Sequence, residues 1–368
     1  MCNDTFIFFL DLLIKKIKIK INLADYLIYV LLATVCDVMP LRKLNRLVAL
    51  SVLKNFDITK NLPFNTLFEL NKKKNKITVN DLGYLIGPIL NAGGRLGKSK
   101  YATELLSSNV IEIVNDRSNC LIKLNNKRKE IENLILNNID FQKIEKENKE
   151  VIIYYNPNVN EGLIGIIAAR LKDYFNKPSI VITASNNLLK GSARSIYNYN
   201  IGLVIKNSLD KKIIISGGGH NMAAGFTLKK DDLKKFKDYI LKDFLNSGTS
   251  NNNKFLYEAE VSSLAFNEDF YDEIKKLEPF GNGNAVPTFL IKNLKIIKAT
   301  VLNDKHISVV LKSKTGFSIK SISFNTINTK LGEYLISYKN TINVLGQINE
   351  NIWNNKKTLQ LTIRDVIV

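Results

Sequence analysis

Cysteine, histidine and long apolar runs are scarce in this chain of 368 residues. The three cysteines, Cys2, Cys36 and Cys120, lie too far apart in the sequence for a zinc-binding or disulfide framework, which fits a reducing cytoplasm. The longest N-terminal apolar run, residues 5–14, is interrupted by Asp11 and is too short to span a bilayer. No basic residue precedes that run, so we expect no secretory signal and no membrane partner.

Acidic residues are outnumbered, because 34 aspartates and glutamates face 53 lysines and arginines, which gives a net charge of +19. Such an excess suits a polyanionic partner such as a nucleic acid. Lys, Asn and Ile are abundant throughout the chain, so a compositional bias of the whole genome also explains part of the charge. Both explanations stay open. The hydrophobic fraction of 45% is ample for two or three domains.

Two polar segments follow short apolar strands, and both are rich in glycine or serine. Residues 216–225 (Ser-Gly-Gly-Gly-His-Asn-Met-Ala-Ala-Gly) follow the predicted strand 211–215, and residues 190–195 (Lys-Gly-Ser-Ala-Arg-Ser) follow the predicted strand 179–183. A tight turn after a strand explains either segment alone. Together they offer a guanidinium, hydroxyls and exposed amides, which are the groups that clamp a phosphate.

Gly-Gly-His-Asn-Met-Ala-Ala-Gly (218–225) resembles the Gly-Gly-His-x-x-Ala-Ala-Gly signature of the DHH-associated domain of the DHH phosphoesterases. Gly-Ser-Ala-Arg-Ser (191–195) is similar to its partner segment in the RecJ family of single-strand-specific 5′→3′ DNA exonucleases. We therefore expect one phosphate-binding or DNA-binding pocket formed by Ser192, Arg194, Ser195, Gly218, Gly219 and His220.

Asp37 ends the predicted helix 24–36, where a capping role is the common one for an isolated Asp. The surrounding segment 33–41 (Ala-Thr-Val-Cys-Asp-Val-Met-Pro-Leu) resembles the fourth motif of the DHH family, in which this Asp is a ligand of the catalytic metal centre. The resemblance implies that Asp37 is a catalytic ligand of Mn²⁺ or Mg²⁺, for which a carboxylate is a suitable group.

Three further segments resemble RecJ motifs. Residues 86–97 (Ile-Gly-Pro-Ile-Leu-Asn-Ala-Gly-Gly-Arg-Leu-Gly) are predicted to form a loop between helices, and Asn91 and Arg95 are its candidates for touching substrate. Packing of a sharp turn explains those glycines equally well. Residues 160–170 resemble a motif that begins Trp-His, but Val159 and Asn160 stand at those positions. Residues 277–284 resemble the Leu-x-Pro-Phe-Gly-x-Gly-Asn motif.

The resemblance covers residues 2–368 and implies an α/β protein of four parts. These are the remnant of a DHH domain over 1–107, a long connecting helix over 108–140, a DHH-associated α/β domain over 141–247 and an OB-type β-barrel over 254–368. The barrel expectation agrees with five or six short alternating strands after residue 288. Barrels of this type bind single strands with basic grooves and stacked aromatic rings, for which Phe317, Phe324 and Trp353 are candidates, although each also suits a core.

No Asp-His-His motif is present, and the only histidines are His220 and His306. A two-metal phosphodiester hydrolysis needs several carboxylates and imidazoles, whereas Asp37 alone matches the expected ligands. We therefore expect a truncated or split RecJ-like exonuclease of recombination and repair. Its implied partners are single-stranded DNA and a separate polypeptide that carries the absent motifs. The alternatives are an inactive strand-binding remnant, or a small DHH phosphodiesterase acting on oligoribonucleotides or cyclic dinucleotides, which the C-terminal barrel disfavours.

Overall fold

A computed structural model describes residues 22–367 except 74–75, 148–149, 249–255, 328, 338–339 and 354–355, together with residues 12 and 16. Residues 1–22, for which the sequence pattern predicts one helix with an apolar face, thus lie almost entirely outside the described part. The chain divides into two compact units, one formed by 57–253 and the other by 1–56 with 254–368. The domain limits expected above stay a prediction.

Helices fill the first half of the unit 57–253. The α-helices are α3 (Leu62–Leu70), α4 (Gly87–Arg95), α5 (Lys100–Ser107), α6 (Ile111–Asn137) and α7 (Phe141–Glu147), numbered after α1 (Leu27–Cys36) and α2 (Lys43–Asn55) of the other unit. Short 3-10 turns lie at Leu23–Tyr26, Ile58–Lys60, Lys230–Asp232 and Ser263–Ala265. Side-chain capping fixes the N-terminus of α3. Asn61 Oδ1 accepts a hydrogen bond from Phe64 N at 3.2 Å, and Pro63 occupies the first turn.

The buried face of the long helix α6 changes from apolar to polar along its length. Val114 and Leu121 are fully buried, and Asn125 and Glu132 continue the same row at helical spacing. Buried polar groups need partners, because losing water without gaining a hydrogen bond costs free energy. In the second half of α6, Asn125 and Glu132 therefore face polar partners, while Ile135 and Leu136 pack against an apolar cluster that includes Ile139 and Ile144.

Residues 86–97 do not form the expected loop. A π-helical turn, Asp81–Ile86, runs directly into helix α4, which continues to Arg95. The glycines serve close packing, since a Cβ at Gly93 would lie 2.7 Å from Lys98 O and 3.0 Å from Leu121 Cδ2. Glycine in this sequence therefore marks a close helix contact, which local sequence alone does not distinguish from a turn.

A five-stranded sheet forms the second half of the same unit. Its strands are β1 (Ile152–Tyr155), β2 (Ser179–Ser185), β3 (Leu188–Arg194), β4 (Ser216–His220) and β5 (Ala223–Leu228), in the order β1-β2-β3-β5-β4. Only β1 and β2 pair in parallel. The connecting helices are α8 (Ile164–Phe175), α9 (Ile201–Asp210) and α10 (Leu233–Asn246). The apolar core includes Phe226, Phe236 and Ile205.

Both polar segments of the sequence are strands, so the expectation that they form loops was wrong. Residues 188–194 are β3, and residues 216–228 form the hairpin β4–β5, whereas 213–215 form no strand. Gly191 shows the reason, because a Cβ there would lie 2.0 Å from Phe226 Cζ. Glycines inside a strand can mark a close approach of a neighbouring group rather than a turn.

A closed β-barrel with a short added strand forms most of the other unit, which confirms the expected OB-type barrel. Its strands are β6 (Ala259–Val261), β7 (Phe289–Leu302), β8 (His306–Ser313), β9 (Ser318–Ser323), β10 (Thr341–Trp353) and β11 (Lys356–Ile367). The sheet order is β10-β11-β9-β8-β7-β6, and a β10–β7 pairing closes the barrel. Helices α11 (Glu268–Lys275) and α12 (Lys330–Ser337) complete the unit. None of the helices described is long and apolar enough to cross a membrane.

Candidate nucleic-acid interface

One face of the five-stranded sheet collects the polar side chains that the sequence singled out. Arg194 pairs with Ala223 across β3 and β5, and Ala223 pairs with His220 across β5 and β4. Side chains of directly opposed residues point to the same face of a sheet. Arg194 and His220 therefore share a face, two strand spacings or about 10 Å apart.

A second row on this face carries almost no side chains. Ser192 pairs with Gly225, which pairs with Gly218. A Cβ at Gly218 would meet nothing within 4 Å, and a Cβ at Gly225 would meet only Gly191 O at 3.9 Å. The two glycines thus form an open floor between Ser192 and the exposed His220. A ligand can approach the backbone closely there.

Helix α8 and the end of helix α4 lie beside Ser192 and Arg194. A Cβ at Gly165 would lie 2.9 Å from Arg194 Nη2 and 3.1 Å from Ser192 Oγ. A Cβ at Gly162 would lie 2.2 Å from Arg95 O, and Arg95 Nη1 donates to Gly162 O at 3.0 Å. The turn before α8 therefore holds Arg95 next to the polar face of the sheet.

The two arginines are partly buried and repel each other. Burial lowers the pKa of Arg194, and the nearby Arg95 lowers it further. Burial likewise lowers the pKa of Arg95, with Arg128 adding to the shift and Glu132 opposing it. Arg194 Nη1 donates to Ser192 Oγ at 3.1 Å and to Ala193 O at 2.8 Å, which are neutral acceptors. Within the described part of the chain, neither Arg95 nor Arg194 forms an ion pair with a carboxylate, so an anion would relieve their repulsion.

A second group of charged residues consists of Arg128, Glu132 and Arg170. From the sequence, Arg128 and Glu132 were predicted only to be part of a connecting helix. Glu132 accepts from Arg128 Nη1 at 2.8 Å and from Arg170 Nε at 2.7 Å. Asn125 Oδ1 accepts from Arg128 Nε at 3.2 Å and from Nη2 at 3.1 Å. The spacing of Arg128 and Glu132 by four residues on a helix is the sequence signal that could have found this pair.

Three predicted site residues lie away from the polar face or add little to it. Ser195 is buried, and its hydroxyl donates to Tyr199 O at 2.6 Å, so it cannot turn to a phosphate without losing that bond. Gly219 is a packing position, since a Cβ there would lie 2.3 Å from Ala223 O. Asn91 is exposed on α4. We leave Ser195 out of the site proposed below.

A shallow cleft of about 330 Å³ continues the polar face beyond Ser192. Its polar lining includes Glu161, Lys190, Ser216 and Thr227. Lys190 Nζ donates to Glu161 Oε2 at 2.6 Å, and Ser185 also donates to that carboxylate. These hydrogen bonds, led by that from Lys190, lower the pKa of Glu161. The cleft is therefore balanced in charge, unlike the arginine end of the face.

Asp37 belongs to the other unit and lies exposed directly after helix α1. Its amide donates to Ala33 O at 2.9 Å, so the residue ends the helix through its backbone rather than through its side chain. Among the described residues, no group of three or more His, Cys, Asp or Glu side chains could hold a metal ion. The described residues therefore do not fit a divalent-metal centre by themselves, and we derive no metal-dependent step from them.

The segment 277–284, one of the sequence motifs, binds the segment that follows Asp37. Arg46 Nη2 donates to Leu277 O at 2.9 Å and to Glu278 O at 2.7 Å, and Arg42 Nε donates to Gly283 O at 2.7 Å. Leu41 N donates to Asn282 O at 2.7 Å, and the Asn282 amide donates to Val38 O. Gly283 has φ +73°, which only glycine adopts freely. These hydrogen bonds fix the loop that presents Asp37.

The outer face of strands β7, β8 and β9 is basic. Its exposed lysines are Lys295, Lys298, Lys312 and Lys320. Phe324 is 51% exposed just after β9 and contacts the His306 ring edge-on at 5.3 Å. Phe317 packs against the barrel core, and the side chain of Trp353 lies outside the described part. Of the three aromatic candidates, Phe324 is the one that the structure places on the surface.

Two family descriptions match the chain. "DHHA1 domain" matches residues 148–246, and "RecJ OB domain" matches residues 257–365. The first match includes the whole polar face of the sheet, and the second includes the barrel.

Curated relatives match over nearly the whole chain. The single-stranded-DNA-specific exonuclease RecJ of Haemophilus influenzae is 31% identical over 358 residues, which are 93% of this chain and 61% of the relative. The protein of the same name from Bacillus subtilis is 28% identical over 92% of this chain and 43% of its own length. The chain thus spans 61% or less of each of these two relatives.

A crystal structure of Thermus thermophilus RecJ in complex with Mn²⁺ matches with a TM-score of 0.81, covering 97% of this chain and 51% of that one at 20% identity. A second structure of that protein contains Mg²⁺ and matches with a TM-score of 0.79. At this identity the structural likeness shows a shared fold. Together with the two domain matches and the sequence relatives, it shows that the chain contains a DHHA1 domain and a RecJ OB domain and is similar to RecJ over nearly its whole length.

Proposed function

We propose that the chain carries the strand-binding part of a RecJ-like exonuclease that degrades single-stranded DNA from its 5′ end in recombination and repair. One observation carries the proposal: Arg95 and Arg194 lie partly buried against the start of helix α8, at Gly162 and Gly165, and neither forms an ion pair with a carboxylate among the described residues. Two partly buried cations side by side repel each other, and binding of an anion removes that repulsion. A nucleotide phosphate is the anion that the similarity to RecJ suggests. The names of the relatives support DNA as the polymer.

In this proposal the 5′-terminal phosphate binds to Ser192 and Arg194, and Arg95 adds a second positive charge that helps to neutralise it. A guanidinium can bind two phosphate oxygens at once, and a hydroxyl can donate to a third. The glycine floor at Gly218 and Gly225 then lets the sugar-phosphate backbone pass close to the sheet. His220, about 10 Å farther across the strands, is placed for a neighbouring nucleotide rather than for the same phosphate.

The barrel binds another part of the strand in this proposal. Its outer lysines neutralise phosphates without regard to sequence, and Phe324 offers a ring on which a base can stack. The divalent metal of the family would activate water for hydrolysis. Asp37 is the residue of this chain that the resemblance assigns to that metal, and other ligands must come from outside the described residues.

The proposal is tested by comparing the affinities of the full chain for 5′-phosphorylated and 5′-hydroxyl single-stranded oligonucleotides. Fluorescence anisotropy with a 3′ label leaves the 5′ end free. We expect the phosphorylated strand to bind more tightly, and we expect Ser192→Ala to reduce this preference. Equal affinity for both strands would refute the phosphate site, and equal affinity for duplex and single strand would refute single-strand specificity.

A strand-binding protein without nuclease activity is the second candidate, favoured because the described residues contain no group of three or more His, Cys, Asp or Glu side chains that could hold a metal ion. The test mixes the chain with Mn²⁺ and a labelled single strand, with Asp37→Ala as the control. We expect little or no digestion by the chain alone. Digestion only after addition of a polypeptide with the Asp-His-His motif would show a split enzyme. Asp37-dependent digestion by the chain alone would contradict this expectation.

A further inference from the structure

Glu132 is a buried carboxylate in a region where positive charge prevails. Its exposed fraction is 4%, and each of its oxygens accepts a hydrogen bond from a different arginine, Arg128 of helix α6 and Arg170 of helix α8. Burying a carboxylate is costly unless it is paired and hydrogen-bonded. Both conditions are met here, so the side chain has one defined position.

Arg128 is held from two sides. Glu132 binds its Nη1, and Asn125, which is 6% exposed, binds its Nε and Nη2 at 3.2 and 3.1 Å. The guanidinium plane is therefore fixed by hydrogen bonds to two neighbours on its own helix. Its charge is felt by Arg95, whose pKa it lowers after the larger effect of burial.

A row of charges thus connects Glu132 to the phosphate site. Glu132 holds Arg128, whose charge lowers the pKa of Arg95, and it also holds Arg170 of helix α8. The start of α8 contacts both arginines of the site, because Arg95 Nη1 donates to Gly162 O at 3.0 Å and a Cβ at Gly165 would lie 2.9 Å from Arg194 Nη2. With Arg170 the group contains four arginines and this one carboxylate. A carboxylate at the end of the row offsets the repulsion among the arginines while leaving Arg95 and Arg194 without an acid of their own.

We infer that Glu132 is a positioning residue for phosphate binding: by holding Arg170 of helix α8, and Arg128 together with Asn125, it sets the place of Arg95 and Arg194 where the end of the strand binds. The inference rests on the proposed function in one respect, that Arg95 and Arg194 bind a phosphate. A scaffold role, in which Glu132 only ties helix α6 to helix α8 through Arg170, is the alternative.

The sign of the effect on binding separates a positioning role from simple electrostatics. Glu132→Gln makes the chain more positive by one charge, which alone would strengthen the binding of any DNA. If Glu132 positions the arginines, its loss instead weakens the binding of a 5′-phosphorylated strand. Glu130→Gln is the matched control, because Glu130 is an exposed residue of the same helix and its replacement changes the net charge equally.

The experiment measures the affinity of full-length variants for 5′-phosphorylated and 5′-hydroxyl single strands, together with the melting temperature of each variant. We expect Glu132→Gln to lower the affinity for the phosphorylated strand about tenfold, the order of effect of losing one charge-assisted interaction. We expect the 5′-hydroxyl strand to bind as before or slightly more tightly. Glu130→Gln should leave the preference for the phosphorylated strand unchanged.

Asn125→Ala gives a second readout that involves no charge change and remains available if Glu132→Gln does not fold. It releases Arg128 from its other side, and we expect about a threefold loss of the phosphate preference. The inference is overturned if Glu132→Gln behaves like Glu130→Gln, or if it only lowers the melting temperature. If Arg194→Ala also leaves the phosphate preference intact, the proposed phosphate site itself fails, which is a distinguishable result.

Discussion

Two pairs of arginines in this chain differ in what their guanidinium groups touch. Arg42 and Arg46 donate to backbone carbonyls of the segment 277–284. Arg46 Nη2 forms two of these hydrogen bonds, to Leu277 O at 2.9 Å and to Glu278 O at 2.7 Å. Arg95 and Arg194 donate to fewer neutral acceptors and lie close enough to each other to lower the pKa of Arg194.

The difference indicates which arginines stabilise the fold and which are available to a ligand. Arg46 Nη2 donates to two carbonyl groups, so this guanidinium is held in one place and has few donors left for an anion. A partly buried guanidinium beside another cation is stabilised by an anion that arrives. Arginine alone in a sequence motif therefore does not indicate a binding role, since both pairs lie in or beside segments that resemble RecJ motifs.

The largest effect is expected from Arg194→Ala. Removing this guanidinium should weaken the binding of a 5′-phosphorylated single strand by about 1.5–3 kcal/mol, the range for hydrogen bonds to charged groups. Anisotropy titrations with a 5′-hydroxyl strand provide the control, for which the loss should be clearly smaller. A loss that is equal for both strands would mean that Arg194 does not contact the terminal phosphate.

Arg46→Ala should act on stability instead of binding. It leaves the carbonyls of Leu277 and Glu278 without their donor, and we expect the free energy of unfolding to fall by about 1–2 kcal/mol. Urea denaturation measures this change. The preference for a 5′-phosphate should stay as in the unchanged protein. A reduced phosphate preference at unchanged stability would remove the contrast between the two arginine pairs.

Gly165→Ala tests the space beside the phosphate site. The added methyl group would lie 2.9 Å from Arg194 Nη2 and 3.1 Å from Ser192 Oγ. Because the end of an arginine side chain can move, we expect little change in stability and a loss of about 1 kcal/mol in the binding of the phosphorylated strand. Gly94→Ala is the comparison, since a methyl group there meets nothing within 4 Å and Gly94 is not part of the glycine floor. Unchanged binding by Gly165→Ala would place the phosphate elsewhere.

The smallest effect extends the comparison to two lysines of strand β7. Lys292 Nζ lies 2.7 Å from Glu260 Oε2, whereas Lys298 forms no ion pair with the described residues. Lys298→Ala should reduce the slope of log affinity against log salt concentration by about 1, as for one lost phosphate contact. Lys292→Ala should leave that slope unchanged. Equal effects of the two variants would show that pairing does not decide which lysines meet DNA.

Much of the fold could be predicted from the sequence. The resemblance predicted a long connecting helix over 108–140, where α6 (Ile111–Asn137) lies, and alternation predicted the strands of the barrel after residue 288. The prediction of turns at the glycines was wrong. Gly93 lies in close contact with Leu121 of a neighbouring helix and Gly191 with Phe226, and the local sequence around them is the same as that of a turn. Close packing of distant segments leaves no local signal beyond the glycine itself.

The candidate site could be predicted in part. Ser192, Arg194 and His220 were expected in one place, and the sheet register puts them on one face. Ser195 was expected with them, but it follows β3 and its hydroxyl is buried against Tyr199 O. Glu132 and Asn125 were not predicted, because their role depends on hydrogen bonds to Arg128 and Arg170 that form only in the folded chain.

The sequence by itself determined the chemistry that is present: an Arg-Ser-Gly face in one domain, a basic barrel in another, and a single Asp that matches a metal ligand. Only the tertiary structure decided which charges are satisfied. The hydrogen bond from Arg46 to Glu278 O spans 232 residues of sequence, and that from Arg170 to Glu132 spans 38. The charge balance around an arginine depends on groups brought close by folding, because electrostatic interactions depend on distance in space and on burial rather than on position along the chain.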